Sequence, residues 1–487
     1  MESVFLRAWS THVDDGLVSL FVMCILFLMT VSLLVYRHRG SLECLSPRDG
    51  KSLPPGNNGL PFLGETHLLA SQKDDFFRKR RTQFGAIFRT HLFGCPAVRV
   101  TGEANIKQLI QMEGRQLRSF YPVSVRRLLG DNSIATSSGP HHRERKRHLT
   151  QYLSRDFFQD HVSLFSGVVS QHLLKWNKQE VIDIYPACKA LSAEVASRFL
   201  LDMELSPSQL DEIRSLLSEF TDNLFCFPVY FPGTSYYKAY NAKKRLLTII
   251  ENISKTQRPG NKQTSVLTET LQPTTDLHAS QTQLEMLESL FELLFVGADN
   301  NGSGMFAIVN FLARHPEVVN KIHVELEEAG LLGGAVGDHA HEDLTLEQVR
   351  GLSYIRAVVK EAMRLMPPVG GFYRTVTEAF TINDFYIPKG WRVIAGIRET
   401  HEHDPSLTDP LRFDPDRWLN KDIKPAFLAF GGGSRVCPGK EYADILLRVF
   451  VINLMRTWSV DIVKDSSITM FPGVRPKDKM TVSLTRT

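Results

Sequence analysis

The chain has 487 residues, 43% of them hydrophobic and 23% charged, with a formal net charge of +4. That supplies one large core or two smaller ones, and the small charge, with no basic run interleaved with aromatics, excludes a nucleic-acid binder. Six cysteines (Cys24, Cys44, Cys95, Cys188, Cys226, Cys437) lie scattered without CxxC spacing, which argues against a disulfide framework or a zinc site.

From Leu17 to Tyr36 twenty residues run without a charge. At 1.5 Å per residue such a helix crosses a hydrocarbon core about 30 Å thick. The stretch is longer than the apolar core of a cleaved signal peptide and ends in Arg37-His38-Arg39, with Asp14 and Asp15 before it. It is a candidate single transmembrane helix, and the positive-inside rule places the remaining chain in the cytoplasm. Three parts are expected: an anchor over 1–39, a polar tether and proline-rich hinge over 40–65, and a catalytic domain over 66–487. Within the hinge, Leu53 to Gly64 carries prolines that stiffen the exit from the membrane.

Ala97 to Thr101 alternates like a strand, while most of the remainder has helical periodicity, so the fold class is mainly α with a minor β part. Ser254 to Gln283 is polar and reads as a surface connection before a long apolar helix over Leu284 to Arg314. Gly297, Gly302 and Gly304 interrupt that helix, each costing about 1 kcal/mol relative to alanine, which requires a reason. Further on, Glu361 and Arg364 stand three apart on one helical face, Pro367-Pro368 ends the helix, and Phe413 to Trp418 brings a second arginine, Arg417. These three charged residues are expected to form a buried structural clamp.

The stretch Phe430-Gly-Gly-Gly-Ser-Arg435-Val-Cys437-Pro-Gly439 fits FxxGxRxCxG at every fixed position. The pattern points to Cys437 as a thiolate ligand of haem iron, and axial thiolate ligation favours O–O cleavage over oxygen carriage. Backbone N–H groups aimed at the sulfur favour the deprotonated form, and Arg435 offers a fork to a haem propionate.

With these motifs in place, the chain resembles the cytochrome P450 family from the proline-rich hinge to the C-terminus. The resemblance implies that family's mixed fold, with haem b between the long central helix and the cysteine loop. It places His142, Lys146 and Arg374 at propionate-contacting positions beside Phe430, Arg435 and Gly439, with a histidine where the family usually has tryptophan. In the central helix, Asp299 and Asn300 stand where the family has an acid followed by threonine for proton delivery to bound dioxygen. A carboxamide orders water but cannot pass a proton as a hydroxyl does. Exposed basic residues such as Arg143, Lys146 and Arg147 imply a docking face for a flavoprotein reductase.

Leu53 to Glu65, Tyr121 to Gly130, Pro388 to Trp391 and Thr400-His401 resemble the retinoic acid hydroxylases and related plant hormone and terpenoid hydroxylases, although Tyr121 replaces a tryptophan typical of retinoid hydroxylases. Arg126 or Arg127 would pair with a substrate carboxylate, or else face a propionate or the surface. Tyr121, Phe225, Phe227, Val369, Phe372 and Phe471 fall in segments that line the family's pocket. The implied activity is hydroxylation of a retinoid, sterol or terpenoid with dioxygen and electrons from NADPH, delivered by NADPH-cytochrome P450 reductase, at a membrane expected to be the endoplasmic reticulum. Two alternatives stand beside it: a reductase-independent isomerase or dehydratase acting on a peroxide, and a non-catalytic haem or lipid binder.

Overall fold

A computed structural model describes the chain except residues 1–18, 36–49, 61–62, 131–132, 154–157, 202–204, 257–282, 333–343, 472 and 487. Most of the polar connection expected between 254 and 283, and most of the tether, lies outside the described residues. So do Leu17, Val18 and Tyr36 of the apolar segment. Residues 19–35 are helical with most of their large apolar side chains exposed, covering about 25 Å. Among the described residues no helix is long and apolar enough to cross a membrane.

A five-stranded sheet frames one side of the domain. Its strands are β1 (Ile87–Leu92), β2 (Cys95–Val100), β3 (Leu117–Ser119), β4 (Gly371–Val376) and β5 (Arg392–Gly396), in the spatial order β1-β2-β5-β4-β3. Only β2 and β5 pair in parallel, with Ala97 opposite Arg392; the other neighbours are antiparallel, and β3 sets Ser119 opposite Arg374. The hinge is strapped onto this sheet, since the Arg89 N–H donates to Pro55 O (2.8 Å) and the Glu65 N–H to His91 O (2.7 Å).

Seven helices position the site: α1 (Glu103–Gln111), α2 (Val123–Leu129), α3 (Gly139–Tyr152), α4 (Ile184–Leu201), α5 (Gln283–Leu312), α6 (Ser353–Leu365) and α7 (Lys440–Met455). The central helix α5 has the extent expected from its apolar periodicity, and its buried residues, with those of α4, α6 and α7, form the largest core cluster. It runs helical throughout. The reason for Gly302 is the approach of α4: a β-carbon there would lie 2.9 Å from Lys189 Cα and 2.8 Å from Lys189 Cδ. Glycine lets the two helices close on one another where any side chain would hold them apart.

Candidate active site

The cysteine loop is a short turn between Phe430 and the start of α7. Gly431 and Gly433 adopt positive φ (67° and 59°), and the Cys437 N–H donates to Phe430 O at 2.9 Å, closing the loop. The run of glycines is needed because the end of α1 packs directly on it: a β-carbon at Gly433 would stand 2.5 Å from Ile110 Cγ2, and one at Gly432 2.9 Å from Ile110 Cδ1. Burial pushes the Cys437 thiol up, opposed by the Gly439 N–H and by the charges of Lys146 and Lys440. A bound metal cation lowers such a thiol decisively.

Cations converge on this loop from separate elements. Arg435 from the loop and Arg374 from β4 both donate through Nε to the carboxylate of Glu113, in the turn between α1 and β3. Arg435 also donates to Ser137 O (2.6 Å), Ser138 Oγ (3.1 Å) and Ile134 O (3.3 Å). The Arg374 guanidinium stacks on the Phe372 ring at 4.5 Å, which puts Phe372 beneath the arginine. Lys146 from α3 donates to Ser434 O (2.9 Å). His142, one turn earlier and 4% exposed, is pushed down to about 4 by burial and by the neighbouring Arg435, Lys146 and Arg374 charges. A thiol flanked by fixed cations and a neutral imidazole is a donor set suited to a macrocycle that takes one axial thiolate and carries two carboxylates, so these residues fit haem.

The clamp residues meet. Arg364 donates to Glu361 Oε2 (2.8 Å) through Nε and to Oε1 (2.9 Å) through Nη2, Arg417 Nε lies 3.0 Å from Glu361 Oε1, and the Trp418 indole N–H adds a bond to Oε2 at 2.9 Å. Both Glu361 and Arg364 are 0% exposed. Arg364 also donates to His401 O (3.1 Å), and His401 accepts the Leu428 N–H on Nε2 (2.8 Å), so its Nδ1–H donates to Arg364 O (2.9 Å). Clamp and cysteine loop are thereby joined through one neutral imidazole.

In α5, Asp299 is not open to solvent as a lone acid. Lys189 Nζ, from α4, donates to its Oδ1 (2.7 Å), to its carbonyl (2.6 Å) and to Ser303 Oγ (2.9 Å). The Asn300 carboxamide makes no hydrogen bond to a described residue, whereas Asn301 donates to Gly297 O at 2.8 Å. No sequence signal singled out Lys189, Asn301 or Glu113, because each is defined by a partner on another element or by side-chain direction alone.

The residues expected to line a substrate pocket differ in exposure and in the core they pack against. Phe225 and Phe227 are 55% and 84% exposed among the described residues, in the segment between α4 and α5. Arg126 and Arg127 occupy the exposed face of α2, since Ser124, Val125, Leu128 and Leu129 take its buried side. Val369 is half exposed, Tyr121 packs at the edge of the main core, and Phe471 packs against the cluster around Phe76 and Phe88.

A family model for cytochrome P450 matches residues 54–482. The chain belongs to the cytochrome P450 family. It is 33% identical over 473 residues to cytochrome P450 26A1 of Xenopus laevis, covering 94% of this chain and 96% of that relative. It is 32% identical over 468 residues to cytochrome P450 26B1 of Rattus norvegicus, covering 93% and 91%. Among solved structures, a retinoic acid-bound cyanobacterial CYP120A1 superposes with a TM-score of 0.81 at 28% identity, covering 90% of this chain and 100% of that one. The P450 is accordingly a haem-dependent monooxygenase, an oxidoreductase.

Proposed function

We propose that this P450 hydroxylates a retinoid, with dioxygen as oxidant and electrons from NADPH passed through a flavoprotein reductase. The observation that carries the substrate class is the likeness of nine-tenths of the fold to a P450 holding retinoic acid. Haem bound by Cys437 supplies dioxygen activation. The chain's own residues do the rest. Cys437 would ligate through Sγ, and Arg374, Arg435, Lys146 and His142 would hold the propionate edge. Asp299, held in place by Lys189, takes up a proton from solvent and passes it on, and the Asn300 carboxamide orders the water that carries it. Tyr121, Val369, Phe372 and Phe471 are the candidates for substrate contact.

The exposed run Phe225, Phe227, Val229, Tyr230 and Phe231, together with the apolar helix 19–35, supports a membrane-facing surface through which a lipid enters, at the endoplasmic reticulum with the catalytic domain cytoplasmic. Exposed Arg143 and Arg147 on α3, beside the cysteine loop, support reductase docking there.

The test is incorporation of label from isotopic dioxygen into retinoids, sterols and terpenoids, with and without reductase and NADPH. Label in a retinoid only when both are present is the expected result; label absent from every substrate sinks the reading. Asn300 favours a second one, rearrangement of a peroxide without reductase. In Asn300→Thr a monooxygenase should release less hydrogen peroxide per NADPH consumed, whereas a rearrangement enzyme should be indifferent to the hydroxyl.

A further inference from the structure

Glu113 was absent from every motif, yet it is the point where two elements of the haem edge meet. Its side chain is 8% exposed, and its two carboxylate oxygens take separate guanidiniums: Oε1 accepts from Arg435 Nε at 3.1 Å and Oε2 from Arg374 Nε. The turn that carries it is tightly fixed. Met112 O accepts the N–H groups of Arg115, Gln116 and Leu117 (3.1, 3.1 and 3.2 Å), the Gly114 N–H returns to Leu117 O (2.8 Å), and Thr377 N–H bonds Gln116 O (2.8 Å). Three residues earlier, Ile110 fills the space over Gly432 and Gly433, so the turn is registered against the cysteine loop by packing as well as by charge.

A side chain so placed could be a simple structural ion pair, and donor and charge counts decide against that. Each guanidinium has five N–H donors. Arg435 engages four of them with described residues, leaving one, and Arg374 engages two, at Glu113 and at Tyr373 O (2.8 Å), leaving three. Glu113 therefore fixes the Nε edge of both forks and leaves terminal N–H groups to face a ligand. Arg374, Arg435 and Lys146 bring three positive charges, and Glu113 with two haem propionates brings three negative ones. Before haem is added, burial and those same cations push His142 down to about 4.

We propose that Glu113 is a positioning residue for the haem propionates: a permanent third carboxylate that orients Arg374 and Arg435 and completes the charge balance of the haem edge. The proposal rests on the haem reading of Cys437, and the experiment separates the two.

The parent protein is first loaded with haem and its ferrous carbon monoxide spectrum recorded; failure to show thiolate ligation there strikes the haem reading alone. Glu113→Gln and Glu113→Asp are then compared with it by haem transfer to apomyoglobin and by the ferric/ferrous midpoint potential. A glutamine turns an N–H donor toward one of the two guanidiniums and displaces it, so haem should leave Glu113→Gln several-fold faster. The lost negative charge leaves the edge one unit more positive, which favours the reduced form, so the potential should move to more positive values. In Glu113→Asp the shorter carboxylate cannot bridge both arginines but keeps its charge: transfer should quicken while the potential stays put. An unmoved potential in Glu113→Gln, or haem transfer equal to or slower than the parent's, overturns the proposal, the latter by showing that Glu113 competes with the propionates. Should Glu113→Gln fail to fold, parental haem transfer in Glu113→Asp overturns it as well.

Discussion

Asp299 and Lys189 show how one contact changes the meaning of a motif. Read along the helix, Asp299 is a proton donor beside an oxygen site; in the fold its Oδ1 is bound by Lys189 from α4, with Ser303 sharing the ammonium. A group tied in this way acts through its partner, so the two residues should not contribute independently. Asp299→Asn is expected to lower kcat about 100-fold with KM little changed, the usual size of a lost general acid. Lys189→Met should cost nearly as much, and the double variant little more than either; additive losses in a double-mutant cycle would show that Asp299 works without its lysine. Glu361 is a residue of a different kind, structural and wholly buried. It pairs with both Arg364 and Arg417, the latter also 3.8 Å from Asp414 Oδ2, while accepting from Trp418 and from the Asp414 N–H (3.2 Å). Glu361→Gln strands one guanidinium in the core, a loss of about 3–5 kcal/mol. Its unfolding midpoint in urea should fall steeply, with no separate change in substrate preference in whatever fraction stays folded.

At the scale of elements, the packing of α4 on α5 sets a demand that helix propensity opposes. Replacing glycine with alanine inside a helix gains about 1 kcal/mol when the new methyl has room. At Gly297 it has room, with Tyr442 Cε1 at 3.6 Å and Ala196 Cβ at 3.8 Å; at Gly302 the Lys189 backbone stands at 2.9 Å. Gly297→Ala should therefore stabilise the fold, and Gly302→Ala should destabilise it by about 1–3 kcal/mol, since overpacking exceeds the propensity gain. Equal shifts of the urea midpoint in both variants would mean that α4 yields and that the glycine has some other purpose. The same contact marks the boundary of what a sequence displays. The cysteine loop, the Glu361–Arg364 pair and the central helix were legible because their partners lie within a turn or two along the chain. Lys189 with Asp299, 110 positions apart, and Glu113 with Arg435, 322 apart, were not, because nothing local records which element will come to rest opposite them. Phe225 and Phe227 illustrate the converse: an aromatic residue looks the same in a sequence whether a core covers it or water does.

For the molecule as a whole, the buried histidines contribute to how acid undoes the fold. Burial pushes the His401 imidazole down to about 4, against about 6.5 in an unfolded chain, and His142 is depressed to a similar value. Because the folded state resists the proton, the unfolded chain takes it up first as pH falls. Stability is whole above about 6.5, declines as pH drops toward about 4, and is flat below that. His401, 0% exposed and bonded on both ring nitrogens, accounts for on the order of 3 kcal/mol across this window. The buried carboxyls differ from one another in direction. Burial pulls the Asp404 carboxyl up, but the Ala426 and Ser406 N–H groups hold it below its usual range, so its loss belongs to more acidic solution. Glu292 runs in the opposite sense: burial raises it above the Ile134 and Ala135 N–H bonds that oppose the rise, so it favours the fold at low pH and less so as pH climbs. Glu402 and Asp444, also raised by burial, act in the same sense as Glu292, so the His401 share of the window is isolated by substitution. A glutamine at position 401 presents one donor and one acceptor and does not titrate. His401→Gln is expected to start less stable at neutral pH, through imperfect bonds to Arg364 O and the Leu428 N–H, but to lose stability over that window with a visibly shallower slope than the parent. Parallel slopes would place the acid sensitivity outside the link between clamp and cysteine loop, and His142, at the haem edge, would be the next position to replace.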